Sequence, residues 1–352
     1  MSATPDYDAI VLVSFGGPEK PEDVMPFLRR VVAGRGVPDE RLAAVAEHYH
    51  HLGGKSPIND QCRALIAALR QELDAHGIGL PIYWGNRNWD PLLEDTLRQM
   101  RADGVERALA FVTSAFSSYS GCRQYREDIA RARDALGQRA PGVDKLRGFF
   151  NHPGFVETMT ERVVDALGQL PRDARAGARL VFTAHSIPEA MAAGCDYVEQ
   201  LRETCALVAD AADHPAHDLV YQSRSGPPQV PWLEPDILDH LRAIDAEGVK
   251  HVVVVPIGFI SDHMEVVWDL DSEARALADE LGLTLVRAGT AGIHPRFVAM
   301  IRELIEERLG RREGRAALGV LGPLPDQCPD GCCAYTPRRP ASAPAGSRRS
   351  GG

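Results

Sequence analysis

Short apolar runs alternate with longer amphipathic segments along most of the chain. Seven runs have the continuous apolar character of strands that are buried on both faces. These runs are 8–14, 82–86, 107–113, 178–184, 217–223, 251–257 and 284–289. Segments with helical periodicity lie between them, such as 62–77 and 295–310. Alternation of strands and helices predicts parallel sheets with helices on both faces.

The order of the runs predicts two sheets and not one. Three strands precede the segment "GFFNHPGF" (148–155), where Gly and Pro interrupt the pattern, and four follow it. We therefore expect an α/β protein with two Rossmann-like domains, at 1–152 and 153–315, each a parallel sheet flanked by helices. Ligands of such sheets bind beyond the carboxyl ends of the strands. The Pro-, Ser-, Gly- and Arg-rich tail, 337–352, is expected to be disordered.

Composition narrows the class of protein. A net charge of -10 with a pI near 5.7 argues against a broad nucleic-acid surface. The longest apolar run, 252–260, is far shorter than the ~20 residues of a membrane-spanning helix. No signal peptide precedes the first strand, so a cytoplasmic protein without stable membrane insertion is expected. In that compartment, the crowding of Cys328, Cys332 and Cys333 favours a metal site over disulfides.

One histidine follows directly from a predicted strand. In "FTAHSIPE" (182–189), His185 stands at the strand's carboxyl end, where its side chain can face a crevice. Histidine titrates near neutral pH and is therefore suited to accept a proton. A histidine that only caps a loop would explain this segment equally well.

Acidic residues recur at regular spacing in "PIGFISDHMEVVWDLDSE" (256–273). Glu265, Asp269 and Glu273 are four residues apart, and they align better in a widened π-turn than on a regular α-helix. Carboxylates in such a row repel one another unless a cation lies between them, and their oxygens suit divalent metals. An acidic, solvated helix face is the alternative. Apolar neighbours such as Trp268 leave little surface for it.

Six segments, in this order and at plausible distances, resemble the ferrochelatases, the enzymes that insert ferrous iron into a porphyrin. The resemblance covers residues from about 8 to 310. It implies a chelatase-type fold of two domains with the porphyrin cleft between them. The segments are "VSFGGPEKPEDV", "GGKSP", "TSAFSSYSGCRQY", "FTAHSIP", "YQSRSGPPQVPWLEP" and "PIGFISDHMEVVWDLDSE".

The resemblance also implies roles for individual residues. It makes His185 and Glu265 the catalytic pair and the ligands of Fe²⁺, which is a substrate. Asp269 and Glu273 are placed on a path that leads iron to this pair. Either member of the pair would serve as the acceptor of the porphyrin's N–H protons, and the sequence leaves this choice open.

Substrate contacts follow from the same resemblance. Ser56 and Tyr125 are expected to contact porphyrin carboxylates. Phe15 replaces a Tyr that contacts the iron in some bacterial relatives, so the product iron should lack that ligand. The segment 21–42 lacks the long apolar lip of membrane-docking relatives and carries several arginines. This composition favours coproporphyrin III, which has four propionates, over protoporphyrin IX.

Some ferrochelatases also hold a [2Fe–2S] cluster with one internal cysteine and three near the C-terminus. Such a cluster takes four thiolates, and structural zinc is the alternative. Gly331 is expected to permit the sharp turn that adjacent cysteines require. The cluster would hold the extension 316–336 on the first domain. The ligands that the resemblance implies are Cys122, Cys328, Cys332 and Cys333.

Other functions compete with insertion of iron into coproporphyrin III to form coproheme. A protoporphyrin IX ferrochelatase is the nearest alternative. The long central loops and the cysteine-rich end argue against a cobalt or sirohydrochlorin chelatase. A porphyrin or heme carrier on the same fold would have no use for His185 and Glu265 beside an acidic row. An enzyme that processes coproheme is expected as a further partner.

Overall fold

Two four-stranded parallel sheets form the frame of the protein. The computed structural model describes residues 6–226 and 228–336. The strands are β1 (Ala9–Ser14), β2 (Ile82–Asn86), β3 (Arg107–Val112), β4 (Gly142–Lys145), β5 (Arg179–His185), β6 (His217–Gln222), β7 (His251–Val255) and β8 (Thr284–Arg287). The first sheet has the order β2-β1-β3-β4 and the second the order β6-β5-β7-β8. Every residue of β1 is buried, as expected where helices cover both faces.

Helices connect the strands and cover the sheets. The α-helices are α1 (Val24–Val31), α2 (Asp39–His51), α3 (Ile58–Ala75), α4 (Leu93–Ala102), α5 (Gln124–Leu136), α6 (Pro153–Gly168), α7 (Glu189–Ala192), α8 (Tyr197–Ala211), α9 (Ile237–Ala246), α10 (Met264–Val266), α11 (Arg275–Leu281) and α12 (Pro295–Arg308). Two π-helices accompany them, the first at Tyr119–Arg123 and the second at Val267–Ala274.

The predicted fold class, two parallel sheets flanked by helices, is confirmed. Each predicted strand is present, with ends within two residues of the predicted ones. The sequence did not predict β4, because "GVDK" contains a single large apolar residue and its positions are only half-buried. As the last strand of its sheet, β4 pairs with β3 alone and needs no second apolar face.

Both sheets share one continuous hydrophobic core. Apolar residues of β1 and β3 belong to the same buried cluster as those of β5 and β7, through the helices α3, α6, α8 and α12. Four phenylalanines lie at the junction: Phe149 is 5.4 Å from Phe111, 5.8 Å from Phe155 and 5.9 Å from Phe297, centroid to centroid. The two halves are therefore packed together and not merely linked by the chain.

Helix α12 joins the two halves a second time, through ion pairs. Its Arg302 Nε lies 2.7 Å from Glu72 Oε1 of α3. Its Glu307 accepts two hydrogen bonds from Arg147, at 2.7 and 2.8 Å, and both side chains are at most 5% exposed. The C-terminal helix is thus fixed to elements of the first half.

Helices α1 and α2 form a separate hairpin beside the cleft. Their apolar faces make a small cluster of their own, which includes Phe27 and Tyr49 and packs on Met264. This α1–α2 hairpin is the part of the first half that faces α10 and the second π-helix.

The extension 316–336 contacts the first half, and near Val320 it also contacts Glu203 of α8 in the second half. Arg147 Nη2 donates to the carbonyl of Ala316 at 2.9 Å, and Arg123 Nη1 donates to that of Cys332 at 3.0 Å. The predicted disorder of 337–352 concerns residues outside the described part of the chain. Among the helices that the structure describes, none has the length and apolar character to cross a bilayer.

Candidate active site

His185 is the last residue of β5, at the carboxyl edge of the second sheet. Its Nδ1 is hydrogen-bonded to the carbonyl oxygen of Ser186, and Tyr197 Oη donates to the carbonyl of His185 itself at 3.0 Å. Because a carbonyl oxygen only accepts hydrogen bonds, the neutral ring carries its hydrogen on Nδ1. The lone pair of Nε2 is then free to bind a proton or a metal.

The long loop after β6 fixes the backbone that carries His185. Ser186 Oγ donates to the carbonyl of Leu233 at 2.8 Å, and Leu233 N donates to the carbonyl of Ile187 at 3.0 Å. The neighbouring Trp232 is buried. The end of this loop, at Trp232 and Leu233, therefore supports the strand end beside the site.

A glycine lets the chain after β7 approach β5 closely. Gly258 N donates to the carbonyl of Thr183 at 3.0 Å. A Cβ at Gly258 would lie 2.7 Å from Ala184 Cα, which is closer than real Cβ atoms come. This contact directs the following residues past His185 and into the acidic segment.

Glu265 meets His185 at this point. The distance from His185 Nε2 to Glu265 Oε2 is 3.6 Å, and the side chains are 32% and 49% exposed. His263 Nδ1 lies 4.0 Å from the same oxygen, and burial lowers the pKa of His263, which favours its neutral form. A nitrogen and a carboxylate oxygen therefore face one another where substrate has access.

The second π-helix carries the remaining two carboxylates of the row, and this is the geometry in which the four-residue spacing aligns best. Asp269 accepts hydrogen bonds from Gln222 Nε2, at 3.2 Å, and from Ser223 Oγ. Burial raises the pKa of Asp269 to about 7, and the negative charge of Glu265 acts in the same direction. Asp269 is thus poised between its neutral and charged forms near neutral pH.

Two other acids of this segment are neutralised by an arginine. Arg287 pairs with Asp271 at 2.7 Å and with Asp262 at 3.1 Å. Within residues 6–226 and 228–336, neither Asp269 nor Glu273 has a basic side chain in an ion pair. The carboxylates left to bind a cation are thus those of the predicted row.

A small apolar cavity of about 100 Å³ adjoins Glu265. Phe15 contributes to its wall, with its ring 6.2 Å from Phe27 and no oxygen to offer a metal. On the other side, the His48 ring stacks on Trp268 at 4.2 Å, with 7° between the planes. His48 was not predicted from the sequence; its signal was the histidine-rich "HYHH", one residue before "GGKSP".

The two expected carboxylate contacts are both buried in the first half. Ser56 is 2% exposed and packs against Gly17 of the loop after β1. Tyr125 is 4% exposed, and the Arg87 guanidinium lies 4.5 Å from its ring centroid. Arg87 also pairs with Asp128. The position of Arg87 as a cation next to Tyr125 was not apparent from the sequence.

The structure brings the four expected cluster cysteines into one region. Cys122 lies in the first π-helix, beside the thiol of Cys328 and the ammonium group of Lys145, and these neighbours lower its pKa. Cys332 Sγ and Cys333 Sγ are 3.5 Å apart. The sharp turn is made by Cys333, with φ +54°, and not by Gly331 as expected. A non-glycine residue in this conformation is held there by its surroundings.

A fifth thiol lies close to this group. Burial raises the pKa of Cys195, and Cys332 and Cys122 are near enough to add to the effect. In the described residues, no three His, Cys, Asp or Glu side chains converge as a ready-made metal site. The cysteines are free thiols. Any metal group held there would need to draw the sulfurs closer together.

Comparison with known proteins identifies the family. A sequence profile of the ferrochelatases matches residues 7–309. The chain belongs to the ferrochelatase family. A protein named ferrochelatase from Rhodopirellula baltica is 58% identical over 347 residues, which cover 97% of this chain and 98% of that protein. The predicted family and enzyme class are thereby confirmed.

Other relatives of this ferrochelatase-family chain have a more specific name. A protein named coproporphyrin III ferrochelatase from Streptomyces coelicolor is 53% identical over 370 residues, covering 99% of this chain and 98% of that protein. One with the same name from Nocardia farcinica is 52% identical over 352 residues, covering 96% and 99%.

A solved structure supports the fold. The sirohydrochlorin chelatase SirB from Bacillus subtilis subspecies spizizenii, in complex with cobalt, matches with a TM-score of 0.52 and 14% identity. The match covers 89% of this chain and 99% of that one. At this identity the likeness concerns the fold alone, and it confirms the predicted chelatase-type architecture.

Proposed function

We propose that this ferrochelatase-family protein inserts ferrous iron into coproporphyrin III to form coproheme. The observation that carries the proposal is the His185–Glu265 pair, 3.6 Å apart, at the inner end of a carboxylate row. The near full-length similarity to proteins named coproporphyrin III ferrochelatase supports the choice of porphyrin.

His185 is the proton acceptor in this proposal. Its Nδ1 is held by the Ser186 carbonyl, so Nε2 presents a lone pair toward Glu265. A pyrrole N–H of the porphyrin gives its proton to Nε2, and the ring nitrogen keeps the electron pair for iron. Glu265 supplies a carboxylate oxygen, a ligand type that holds divalent metals loosely enough to release them.

Asp269 and Glu273 form the outer part of the iron path. Asp269 is held by Gln222 and Ser223, so its carboxylate has a fixed position behind Glu265. Because its pKa is raised to about 7, it can bind a cation when ionised and give up that charge at low energetic cost. A carboxylate with this property is better suited to passing iron on than to retaining it.

Propionate recognition is assigned to the first half. Ser56 and Tyr125 are the proposed contacts, with the Arg87 guanidinium 4.5 Å from the Tyr125 ring as a nearby positive charge. Both side chains are buried, so the porphyrin edge must displace part of their surroundings. Of the arginines of α1 and the following loop, Arg29 is paired with Asp39 at 3.0 Å, which leaves Arg30 and Arg35 as further candidates for propionate contacts.

One mixing experiment tests the activity. Coproporphyrin III or protoporphyrin IX is added with ferrous iron under anaerobic conditions, and loss of free-porphyrin fluorescence is followed. Many turnovers with coproporphyrin III, and at least tenfold slower reaction with protoporphyrin IX, are expected. Equal rates would contradict the substrate assignment. Quenching that stops at one porphyrin per chain would identify a carrier and refute the enzyme.

A [2Fe–2S] cluster is proposed at Cys122, Cys328, Cys332 and Cys333. The donor set fits, since four free thiols from distant parts of the chain meet in one region. When bound, the cluster would supply a cross-link between the first π-helix and the extension. The long loop closed in this way would stabilise the fold by a few kcal/mol in the chain-entropy model, roughly as a disulfide does.

Metal analysis and spectroscopy of anaerobically purified protein test the cluster. Cys332→Ser should lose the brown colour and the bound iron and sulfide, and it should lower the thermal midpoint. Cys195→Ser is the matched control, because this thiol lies beside the group without being an assigned ligand. Zinc in place of iron and sulfide would refute the assignment. A full cluster in Cys122→Ser would instead make Cys195 the first candidate for the fourth ligand.

The domain limits at 152/153 and 315/316 are kept as proposals. The first limit is supported by the gap between β4, which ends at Lys145, and α6, which begins at Pro153. A cytoplasmic location and a coproheme-processing partner are likewise proposed on the family resemblance. Fractionation of cells and co-purification with such an enzyme would test them.

A further inference from the structure

A glutamine of the first half reaches the segment that carries Glu265. Gln61 lies in the first turn of α3, five residues after Ser56. Its Oε1 accepts a hydrogen bond from the backbone N–H of Asp262 at 2.9 Å, although the two residues are 201 positions apart in the chain. A backbone N–H donates and cannot accept, so this contact also fixes which amide atom of Gln61 faces Asp262. A hydrogen bond therefore joins the two halves three residues before Glu265.

The start of α3 is a firm base for this side chain. Asn59, which is fully buried, donates to the carbonyl of Gly17 at 3.2 Å and accepts a hydrogen bond from Asn86 Nδ2 at 3.3 Å. Cys62, the residue after Gln61, is buried in the hydrophobic core. The backbone of Gln61 is therefore fixed within the first half, and its side chain reaches out from there.

Asp262 is held from a second side, within its own half. Its carboxylate accepts hydrogen bonds from the Arg287 guanidinium at 3.1 and 3.4 Å. The same guanidinium pairs with Asp271 of the second π-helix at 2.7 Å. Asp262 thus lies between a hydrogen bond to the first half, made by its backbone, and an ion pair to the second half, made by its side chain.

The position of Asp262 determines where the helix that carries Glu265 begins. His263 follows with extended backbone, at φ -141° and ψ 179°, and α10 starts at Met264. The carbonyl of His263 accepts a hydrogen bond from Val267 N at 3.1 Å, so helical bonding begins one residue after Asp262. Because the connection is this short, a displacement of Asp262 carries the Glu265 carboxylate with it.

We infer that Gln61 is a positioning residue for iron insertion, which fixes the Glu265 segment to the half that binds the porphyrin. The inference rests on the proposed function, in which Ser56 contacts the porphyrin and the His185–Glu265 pair reacts with it. The hydrogen bond of Gln61 sets the separation between the porphyrin contact and the reacting groups. Misplacement of reacting groups by about 1 Å can cost about a hundredfold in rate. Loss of this bond should therefore lower kcat and leave porphyrin affinity nearly unchanged.

Insertion kinetics of three variants test the inference. Gln61→Met keeps the length of the side chain but removes the acceptor, so it should lower kcat at least about tenfold, with KM for coproporphyrin III within about threefold. Gln61→Glu retains an acceptor oxygen and should stay within about threefold of the parent. Gln71→Met, the same substitution on the exposed face of α3, is the control and should have the parent's kcat. The inference is overturned if Gln61→Met also keeps the parent's kcat, or if Gln61→Glu loses as much as Gln61→Met.

A double-mutant cycle shows whether Gln61 acts through Glu265. In Glu265→Gln protein the carboxylate that needs placing is absent, so adding Gln61→Met should cost less than about threefold. A further tenfold loss in that background would mean that Gln61 serves another group, and it would overturn the inference. The thermal midpoint of Gln61→Met should stay within about 5 °C of the parent. A larger fall would assign Gln61 to the stability of the fold and would likewise overturn the inference.

Cobalt binding separates this inference from the proposed function. Co²⁺, which binds nitrogen and oxygen ligands at least as tightly as Fe²⁺, is titrated into the holoprotein without porphyrin and followed by its visible absorption. The part of the signal that Glu265→Gln removes belongs to the His185–Glu265 site. Gln61→Met should weaken binding there at least about fivefold and Gln61→Glu should not. Unchanged affinity in Gln61→Met would overturn the inference. A parent protein that binds cobalt here but inserts no iron would refute the proposed function alone, because the Gln61 variants are still judged by cobalt binding.

Discussion

His185 can act as a proton acceptor because one of its two nitrogens is committed to the backbone. The Ser186 carbonyl holds Nδ1, and the buried Tyr197 holds the carbonyl of His185. The ring therefore needs no further partner to keep its orientation. Its Nε2 and the Glu265 carboxylate are left as the two reactive groups at this edge of the sheet.

His185→Ala should abolish iron insertion while porphyrin still binds. The loss follows from removal of the group that takes the pyrrole proton, and general-base catalysis of this kind is worth about 10²–10⁴ in rate. Stopped-flow insertion assays and porphyrin fluorescence titrations measure the two properties separately. His76→Ala, at an exposed helix end, is the control. Turnover within tenfold of the parent protein would remove His185 from the mechanism.

Asp269→Asn should stabilise the fold more at pH 8 than at pH 5.5. The folded protein has a pKa of about 7 for Asp269, compared with about 3.9 in an unfolded chain. Ionisation above pH 4 therefore favours the unfolded state, and this penalty increases up to pH 7. Asparagine removes it and can still accept the hydrogen bonds from Gln222 and Ser223. Between the two pH values the gain should grow by about 2 kcal/mol.

Chemical unfolding at the two pH values measures this difference. Asp279→Asn, on the exposed side of α11, is the control and should show no such trend. A gain from Asp269→Asn that is the same at both pH values would mean that Asp269 is ionised throughout this range.

Sequence reasoning at this scale found side chains but not their partners. Motif resemblance led to His185 and Glu265, yet the hydrogen bond from Ser223 to Asp269 depends on how β6 lies beside the second π-helix. The stacking of His48 on Trp268 likewise joins residues far apart in the chain. Such pairings arise from tertiary packing, and no local pattern encodes them.

At the scale of elements, the second π-helix organises the carboxylates. Its wider turn suits the four-residue spacing of Glu265, Asp269 and Glu273 better than a regular α-helix does. Arg287, at the end of β8, neutralises Asp271 and Asp262 on either side of the row. The element therefore presents one line of uncompensated charge and not a broad acidic face.

Substitutions along this row should have graded effects. Glu265→Gln should lower kcat about a hundredfold or more, because only this member lies next to His185. Asp269→Asn and Glu273→Gln should mainly raise the apparent KM for ferrous iron, with kcat within about threefold. Glu280→Gln, on the exposed face of α11, is the control. Equal effects at all three positions, or the largest effect at Glu273, would refute the path.

Elements were predictable where their pattern was strong. The seven apolar runs became strands, whereas β4 and the first π-helix were missed. β4 is four residues long and borders one neighbour, so it needs little apolar surface. The first π-helix depends on Ser118 Oγ, which accepts a hydrogen bond from Gly121 N at 2.8 Å. A single side-chain cap of this kind has no periodicity to detect.

At the scale of the whole molecule, ion pairs and a common core bind the halves together. Arg147 donates to Glu307 of α12 and to the carbonyl of Ala316 in the extension. One buried guanidinium thus connects the segment after β4, the helix α12 and the extension. Three segments that lie far apart in the chain depend on this one side chain.

Arg147→Ala should destabilise the protein by about 3–5 kcal/mol, since it leaves the Glu307 carboxylate buried without a partner. The thermal midpoint should fall by at least about 5 °C. Arg147→Lys, which keeps the positive charge, should destabilise the protein less than Arg147→Ala does. Arg98→Ala breaks an exposed pair on α4 and should change stability by no more than about 0.5 kcal/mol. A similar small effect of Arg147→Ala would mean that the pair contributes nothing.

The phenylalanine junction has a consequence for the gene as well as for the folded chain. Splitting the coding sequence between residues 152 and 153 would separate Phe149 from Phe155 and Phe297. The ring centroid of Phe149 lies within 6 Å of each of the other two. Each fragment, produced alone, would expose a face built for the other and should aggregate. Produced together, the fragments should recover solubility. The two sheets therefore form a single folding unit, which one uninterrupted coding sequence must encode or two co-expressed fragments must rebuild.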